Sequence, residues 1–212
     1  MFLPETFRED RLDVLHALIR AHPLGLLVSG GPEGPMVTPV PFTLAEGGER
    51  GILRAHVSRA NPHWKAFRDA PEAVVLFQGP QAYVTPNWYA TKQESGKVVP
   101  TWNYTIVEAR GRAAVIEDAG WLRAQIEALT GLMEAPRAEP WAVSDAPAPF
   151  VGSQIRGIVG IELAEFTLEG KWKVSQNRPV ADRRGVVDGL AAAGDAAMAG
   201  LVAERTPDEP PA

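Results

Sequence analysis

The sequence contains no cysteine, which excludes disulfides, thiolate metal sites, cysteine nucleophiles and thioether-linked haem before any motif is read. A reducing cytoplasm fits that absence. Nowhere do ~18 consecutive apolar residues occur, the length a membrane-spanning helix needs, and Met1 to Asp10 carries acids without an apolar run. Neither a membrane segment nor an export signal is expected. Basic charge is in deficit: the net charge is -5 and the pI about 5.4, whereas nucleic-acid-binding domains usually carry a basic excess. Arg178, Arg183 and Arg184 cluster around Asp182 and read as a solvated face. Also missing are a Gly-x-Gly-x-x-Gly after a strand, a Walker loop, His-Glu-x-x-His, Gly-x-Ser-x-Gly, any paired zinc-ligand motif and any internal repeat. Nucleotide hydrolysis, zinc hydrolysis and serine-esterase chemistry therefore have no support.

What is present is an ordinary globular composition, 45% hydrophobic and 22% charged, over 212 residues. That length suits one domain with a helical appendage. Thr6-Phe7-Arg8-Glu9 has the form of a capping box, and Leu12, Leu15, Leu18 and Ile19 repeat at helical spacing up to Pro23. Short apolar or alternating runs then follow at 24–29, 36–44 and 51–57, separated by glycine-rich turns as in a β-meander. Asn61-Pro62 breaks the third run and predicts a helix over 62–69. Two strands, 73–78 and 81–85, are expected to join at Gly79-Pro80, and a long strand over 105–116 to be interrupted at Gly111. Asp118 is placed to cap a helix carrying Leu122, Ile126, Leu129 and Met133. Residues 135–150 hold four prolines and read as an irregular connection. A strand over 156–168 and a turn at Gly170 into 171–174 would close the sheet. Helices over 181–193 and 195–204 follow, broken at Gly194, before a proline-rich acidic tail expected to be disordered. The expected architecture is mainly β with α, a six-stranded antiparallel split barrel with flanking helices. Its domain would span 1–174, with a helical extension over 175–206 and a tail over 207–212.

Three stretches are too polar and aromatic for packing alone: His56 to Trp64, Val99 to Tyr104, and Lys171 to Pro179. The first lies where a strand gives way to a helix, and unpaired N–H groups there favour an anion. Ser58 and Arg59 could complete a phosphate cradle, since a guanidinium fork donates two hydrogen bonds to a phosphate and a hydroxyl a third. Alternatively Ser58 is a helix N-cap and Arg59 is solvated. His56 reads as a rim residue, and its spacing to His63 suits no metal. Trp102 and Asn103 offer a flat aromatic and an amide suited to a heteroaromatic ring with imide edges, or else an interface between subunits. Lys173, Gln176, Asn177 and Arg178 suit either ligand contact or capping of the helix that follows.

At these residues the sequence resembles the PaiB-type FMN-binding negative transcriptional regulators, themselves similar to pyridoxamine-phosphate-oxidase-like split barrels. The resemblance runs through Phe2-Leu3-Pro4, His56-Val57-Ser58-Arg59-Ala60-Asn61-Pro62, Phe77 to Tyr89, Val99-Pro100-Thr101-Trp102-Asn103-Tyr104, Pro140-Trp141, Ile158-Val159-Gly160 and Gly170 to Arg178. It implies a dimeric split barrel with FMN at the subunit interface. A Ser-Arg pair after the third strand would hold the FMN phosphate, matching Ser58 and Arg59, with His56 and Asn61 beside it. The preceding strand would carry Val40, Pro41 and Phe42 past the flavin ring. Trp102, Asn103, Lys173, Gln176 and Arg178 complete the expected cofactor contacts on their side-chain chemistry, and DNA or a regulatory partner would be the target. No helix-turn-helix is evident, because Arg8 to His22 reads as a lone helix. An FMN-dependent oxidoreductase acting on a small molecule is the competing expectation.

Overall fold

A computed structural model describes residues 1–31 and 34–207. In chain order its elements are β1 (Arg8–Glu9), α1 (Leu12–Ala21), β2 (Leu24–Ser29), β3 (Met36–Pro41), β4 (Thr43–Ala45) and β5 (Ile52–Ser58). There follow α2 (His63–Asp69), β6 (Glu72–Val84), α3 (Thr91–Ser95), β7 (Thr101–Arg112), β8 (Ala114–Ile116) and α4 (Ala119–Glu134). The chain continues with α5 (Ala148–Arg156), β9 (Ile158–Leu163), β10 (Phe166–Lys173), α6 (Val180–Ala192) and α7 (Ala196–Ala203). The fold is mixed α/β with two open sheets, one in the order β1-β10-β7-β6-β2-β3 and the other β4-β5-β9-β8. Each strand pairing with a recorded register is antiparallel. The tail expected to be disordered lies, from residue 208 on, outside the described residues.

The chain divides into two compact units, one of residues 1–15, 78–107 and 169–212, the other of 16–77 and 108–168. The second unit contains the four-stranded sheet, in which β5 pairs with β9 through six residues from Leu53↔Leu163 to Ser58↔Ile158. Helices α4 and α5 enclose a small core of Leu122, Val143, Val151 and Ile155. In the first unit, α6 and α7 pack Val186, Leu190, Met198 and Val202 against Val84, Tyr89 and Val174. The chain turns between those helices at Gly194, whose φ of 84° is open to glycine at little cost.

Several expectations require correction. Thr6 and Glu9 form no capping box: Thr6 sits in a 3-10 turn and Glu9 in β1, where its buried carboxylate accepts from the backbone N–H and the guanidinium of Arg11. Residues 72–84 form one strand, not two. β2 pairs with it only from Ala73 to Leu76, so on that side no partner asks Pro80 for the N–H it lacks. The break in the 101–116 stretch falls at Ala113, whose N–H leaves the sheet for Pro71 O. Gly170 lies inside β10, paired with Glu9, and the turn comes earlier, at residues 164–165. The 135–150 connection is irregular only in part: Pro147 and Pro149 open α5, whose Val151 and Ile155 are buried one turn apart. Among the described residues the strands number ten in two open sheets, one of which has the six expected and is antiparallel wherever its register is given.

Candidate functional site

In the second unit, β3, β5 and the end of α5 border a cleft of about 480 Å³. Thr38, Pro39, Val40 and Pro41 line it from β3, His56, Val57 and Ser58 from β5, Asn61 from the following loop, and Ser153, Gln154, Gly157 and Ile158 from the opposite side. Among the described residues the lining holds hydroxyls, amides, one imidazole and apolar surface, but no Lys, Arg, Asp or Glu. Ser153 and Gln154 lie between the expected 135–150 connection and the expected 156–168 strand, and the Pro-x-Pro start followed by Val151 and Ile155 is the signal for the helix that carries them.

Beneath the cleft floor lies His63, fully buried at the start of α2 and stacked on Phe67. Ser29 Oγ donates to Gly30 O, so it accepts from His63 Nε2 at 2.8 Å. His63 Nδ1 is then the acceptor for Thr38 Oγ1, also at 2.8 Å, and Thr38 Oγ1 receives the Asn61 amide at 3.5 Å. The imidazole is thus neutral with a defined tautomer, and burial holds its pKa below the ordinary 6.5. Asn61 Oδ1 also accepts the His63 backbone N–H at 2.9 Å. Asn61, rather than Ser58, therefore occupies the first donor of the seven-residue α2.

His56 is held from behind by α4. Its Nδ1 lies 2.6 Å from Gln125 Oε1, and Gln125 is 2% exposed with its Nε2 unpartnered. The register explains the contact: His56 pairs with Gly160 across β5 and β9, and Trp121, one helical turn before Gln125, lies flat where a Gly160 side chain would stand. Trp121 Nε1 is anchored on Glu162 at 3.2 Å, and Arg54 meets the same carboxylate at 2.8 Å. Nδ1 donating to Gln125 leaves His56 Nε2 as an acceptor with no protein partner among the described residues.

Ser58 Oγ accepts the Ala60 N–H at 3.3 Å and borders the cleft. Arg59 does not line it. Its Nε donates to Arg156 O at 3.1 Å, Nη2 to Ile158 O at 3.2 Å and Nη1 to Glu117 at 2.5 Å. Val40 and Pro41 line the cleft, whereas Phe42 is buried edge-on against Phe77, with ring centroids 5.6 Å apart.

The other five residues expected as cofactor contacts belong to the first unit. Asn103 is fully buried and donates to Ser175 Oγ at 2.9 Å, fixing a loop in which Ser175 takes φ 69°. Gln176 spends its amide on that same loop, accepting Val174 N–H and donating to Trp172 O. Trp102 is half exposed, edge-on to Tyr83 and bonded to Gln81. Lys173 donates to Thr101 Oγ1 and Trp102 O; burial, then Lys171 and Arg178, press its pKa below the usual lysine value. Arg178 lies 4.4 Å over the Tyr89 ring. The structure thus gathers Val40, Pro41, His56, Ser58 and Asn61 at one cleft, with Arg59 behind it, and a second basic and aromatic group in the other unit.

Comparison with known proteins defines the class. The profile of the family described as "Putative FMN-binding domain" matches residues 1–164, and the chain belongs to that family. A protein of Emericella nidulans is 35% identical over 97% of both chains. The Bacillus subtilis protease synthase and sporulation protein PAI 2 is 26% identical over 90% of this chain and 89% of its own, and membership of the FMN-binding family makes FMN the cofactor. The fold is similar to that of the FAD and heme binding protein from Mycobacterium smegmatis, with TM-score 0.58 and 18% identity over 78% of this chain and 73% of that one. The cleft suits FMN chemically: Ser58, Asn61, Ser153 and Gln154 offer hydroxyls and amides for phosphate and ribityl oxygens, and Val40, Pro41 and Ile158 an apolar wall for a ring.

Proposed function

We propose that this PaiB-type protein binds FMN in the β3–β5 cleft as a homodimer, within the cytoplasm, and acts as a negative regulator of transcription through DNA or a regulatory partner. The observation that carries a binding role is the cleft lining, in which His56 is the single titratable side chain among the described residues and is tied to Gln125. Such a lining grips and orients a ligand and supplies no acid–base pair. In this reading Ser58 and Asn61 hydrogen-bond the oxygens of the ligand's tail, and Val40, Pro41 and Ile158 keep water from its ring. FMN, when bound, supplies reversible hydride and one-electron chemistry.

Support for the dimer comes from one face of the β3-β2-β6 ladder. Cross-strand partners share a face, and Leu26 stands opposite both Pro39 and Leu76, Val28 opposite both Val37 and Val74, and Leu24 opposite Pro41. Leu24, Leu26 and Val37 are 62%, 40% and 58% exposed, and no charged residue interrupts the group. An apolar face of that kind marks an association surface, and Pro39 and Pro41 belong to both it and the cleft. The test combines light scattering with FMN titration. Leu26→Asp is expected to turn dimer into monomer and weaken FMN binding together; a monomeric parent protein would refute the dimer. A DNA shift assay over a salt series tests the target, direct contact requiring binding that weakens as salt rises.

A second reading, an FMN-dependent oxidoreductase acting on a small molecule, draws on one observation: the unpartnered Nε2 of His56 at the cleft. Anaerobic reduction of bound flavin by nicotinamide cofactors, followed by reoxidation with candidate acceptors, tests it.

A further inference from the structure

The phosphate cradle proposed above has a counter-ion built in behind it. Arg59 is the cation nearest in sequence to the cleft residue Ser58, and its N–H groups rest on the carbonyls of Arg156 and Ile158, Ile158 being itself a lining residue. Those two bonds and the bond to Glu117 use three of the five N–H groups a guanidinium carries, which leaves one on each Nη. The side chain is 40% exposed, so those two remain open to an oxygen ligand. The charge, however, is already shared. Glu117 accepts from Arg59 with Oε2 and from Arg68 with Oε1, at 2.7 Å for the latter, so a single carboxylate stands between two cations. Arg68 in turn lies 4.8 Å over the Trp64 ring, whose Nε1 donates to Arg59 O. Helix α2, β8 and the 59–61 loop are thereby joined around one acid.

We propose that Glu117 sets how tightly the cleft holds a phosphate-bearing ligand, by partly neutralising Arg59 and keeping FMN exchangeable. A phosphate approaching Arg59 meets a guanidinium whose field is partly offset by a carboxylate already in contact, and must also bear the repulsion of that carboxylate. Both effects act on the dianionic tail and neither acts on the uncharged remainder of the molecule. Glu117 is thus a determinant of affinity that touches no ligand. The inference rests on the assignment of the phosphate to the Ser58–Arg59 corner, and the experiment separates the two.

FMN and riboflavin, which differ only in the phosphate, are titrated by flavin fluorescence against the parent protein, Glu117→Gln, Arg59→Ala and the double variant, with thermal melts confirming that each is folded. Glu117→Gln is expected to tighten FMN by roughly three- to tenfold, as loss of one partly screened charge implies, and to leave riboflavin unchanged. The gain should vanish in the Arg59→Ala background. An unchanged or weakened FMN affinity in Glu117→Gln, or equal tightening of FMN and riboflavin, overturns the proposal while the phosphate assignment stands, provided that Arg59→Ala weakens FMN. If Arg59→Ala leaves FMN binding untouched, the phosphate lies elsewhere and the proposal falls with the assignment.

Discussion

His63 shows how a single side chain under the cleft makes stability depend on pH. Buried and bonded at both ring nitrogens, it folds as the neutral imidazole, and its pKa is depressed below 6.5. The unfolded chain therefore takes up a proton that the folded one refuses, so the stability contributed is intact above about pH 6.5 and is lost as pH falls from there toward the folded-state pKa. Urea midpoints at about pH 7.5 and about pH 5.5 should differ more for the parent protein than for His63→Gln, and equal differences would count against the neutral relay. This residue was visible in the sequence only as a histidine with no metal spacing. Its partners, Ser29 and Thr38, lie 34 and 25 residues away, and no local pattern announces them. The same limit hid Gln125, 69 residues from His56, and Glu117, 58 from Arg59. What was legible was local: a strand ending in His56-Val57-Ser58, a helix beginning within one residue of its expected start, and Val40 and Pro41 on the preceding strand.

At the scale of elements, the seating of α4 on the β5–β9 pair decides where His56 points. Trp121 occupies the space over Gly160, and Gln125 follows one turn later, so the helix cannot rise off the sheet at one residue without withdrawing the other. Gly160→Val should lift the Trp121 ring and cost about 1–3 kcal/mol of stability, as overpacking typically does. It should also loosen His56, visible as a shifted and broadened imidazole resonance; an unperturbed His56 signal would show that α4 does not orient it. The helix was readable beforehand because Asp118 caps it, its Oδ1 taking the Trp121 N–H at 2.7 Å. Helix α5 was not, because proline breaks a helix interior, whereas Pro147 and Pro149 stand at a helix start, where the missing N–H costs nothing.

For the first unit as a whole, the decisive tie runs between chain ends. Arg205, just beyond α7, donates to Glu9 on β1 at 2.6 Å, and Arg11 closes on the same carboxylate at 2.9 and 2.7 Å. The Arg11 hydrogen bonds foremost hold the Glu9 pKa down at about 2, against an ordinary 4.5. Its contribution is full above about pH 4.5 and fades as pH drops toward 2. Arg205→Ala should lower stability by about 1–3 kcal/mol, the range for a charged hydrogen bond to a buried group, and narrow the difference between midpoints at neutral and acid pH. An unchanged midpoint would mean that the last helix is held by its apolar side alone. From the sequence, Glu9 read as half of a capping box, because an acid three residues after a threonine carries no mark of an arginine 196 positions on.

β3 lies at the margin of its sheet, and Phe42 N–H turns inward to Pro23 O, so the alternating prolines at 41 and 39 present their nitrogens outward. Two donors that an incoming strand would need are therefore missing from that margin. A further strand is thereby hindered from pairing side by side at this margin, as strands do in a growing fibre.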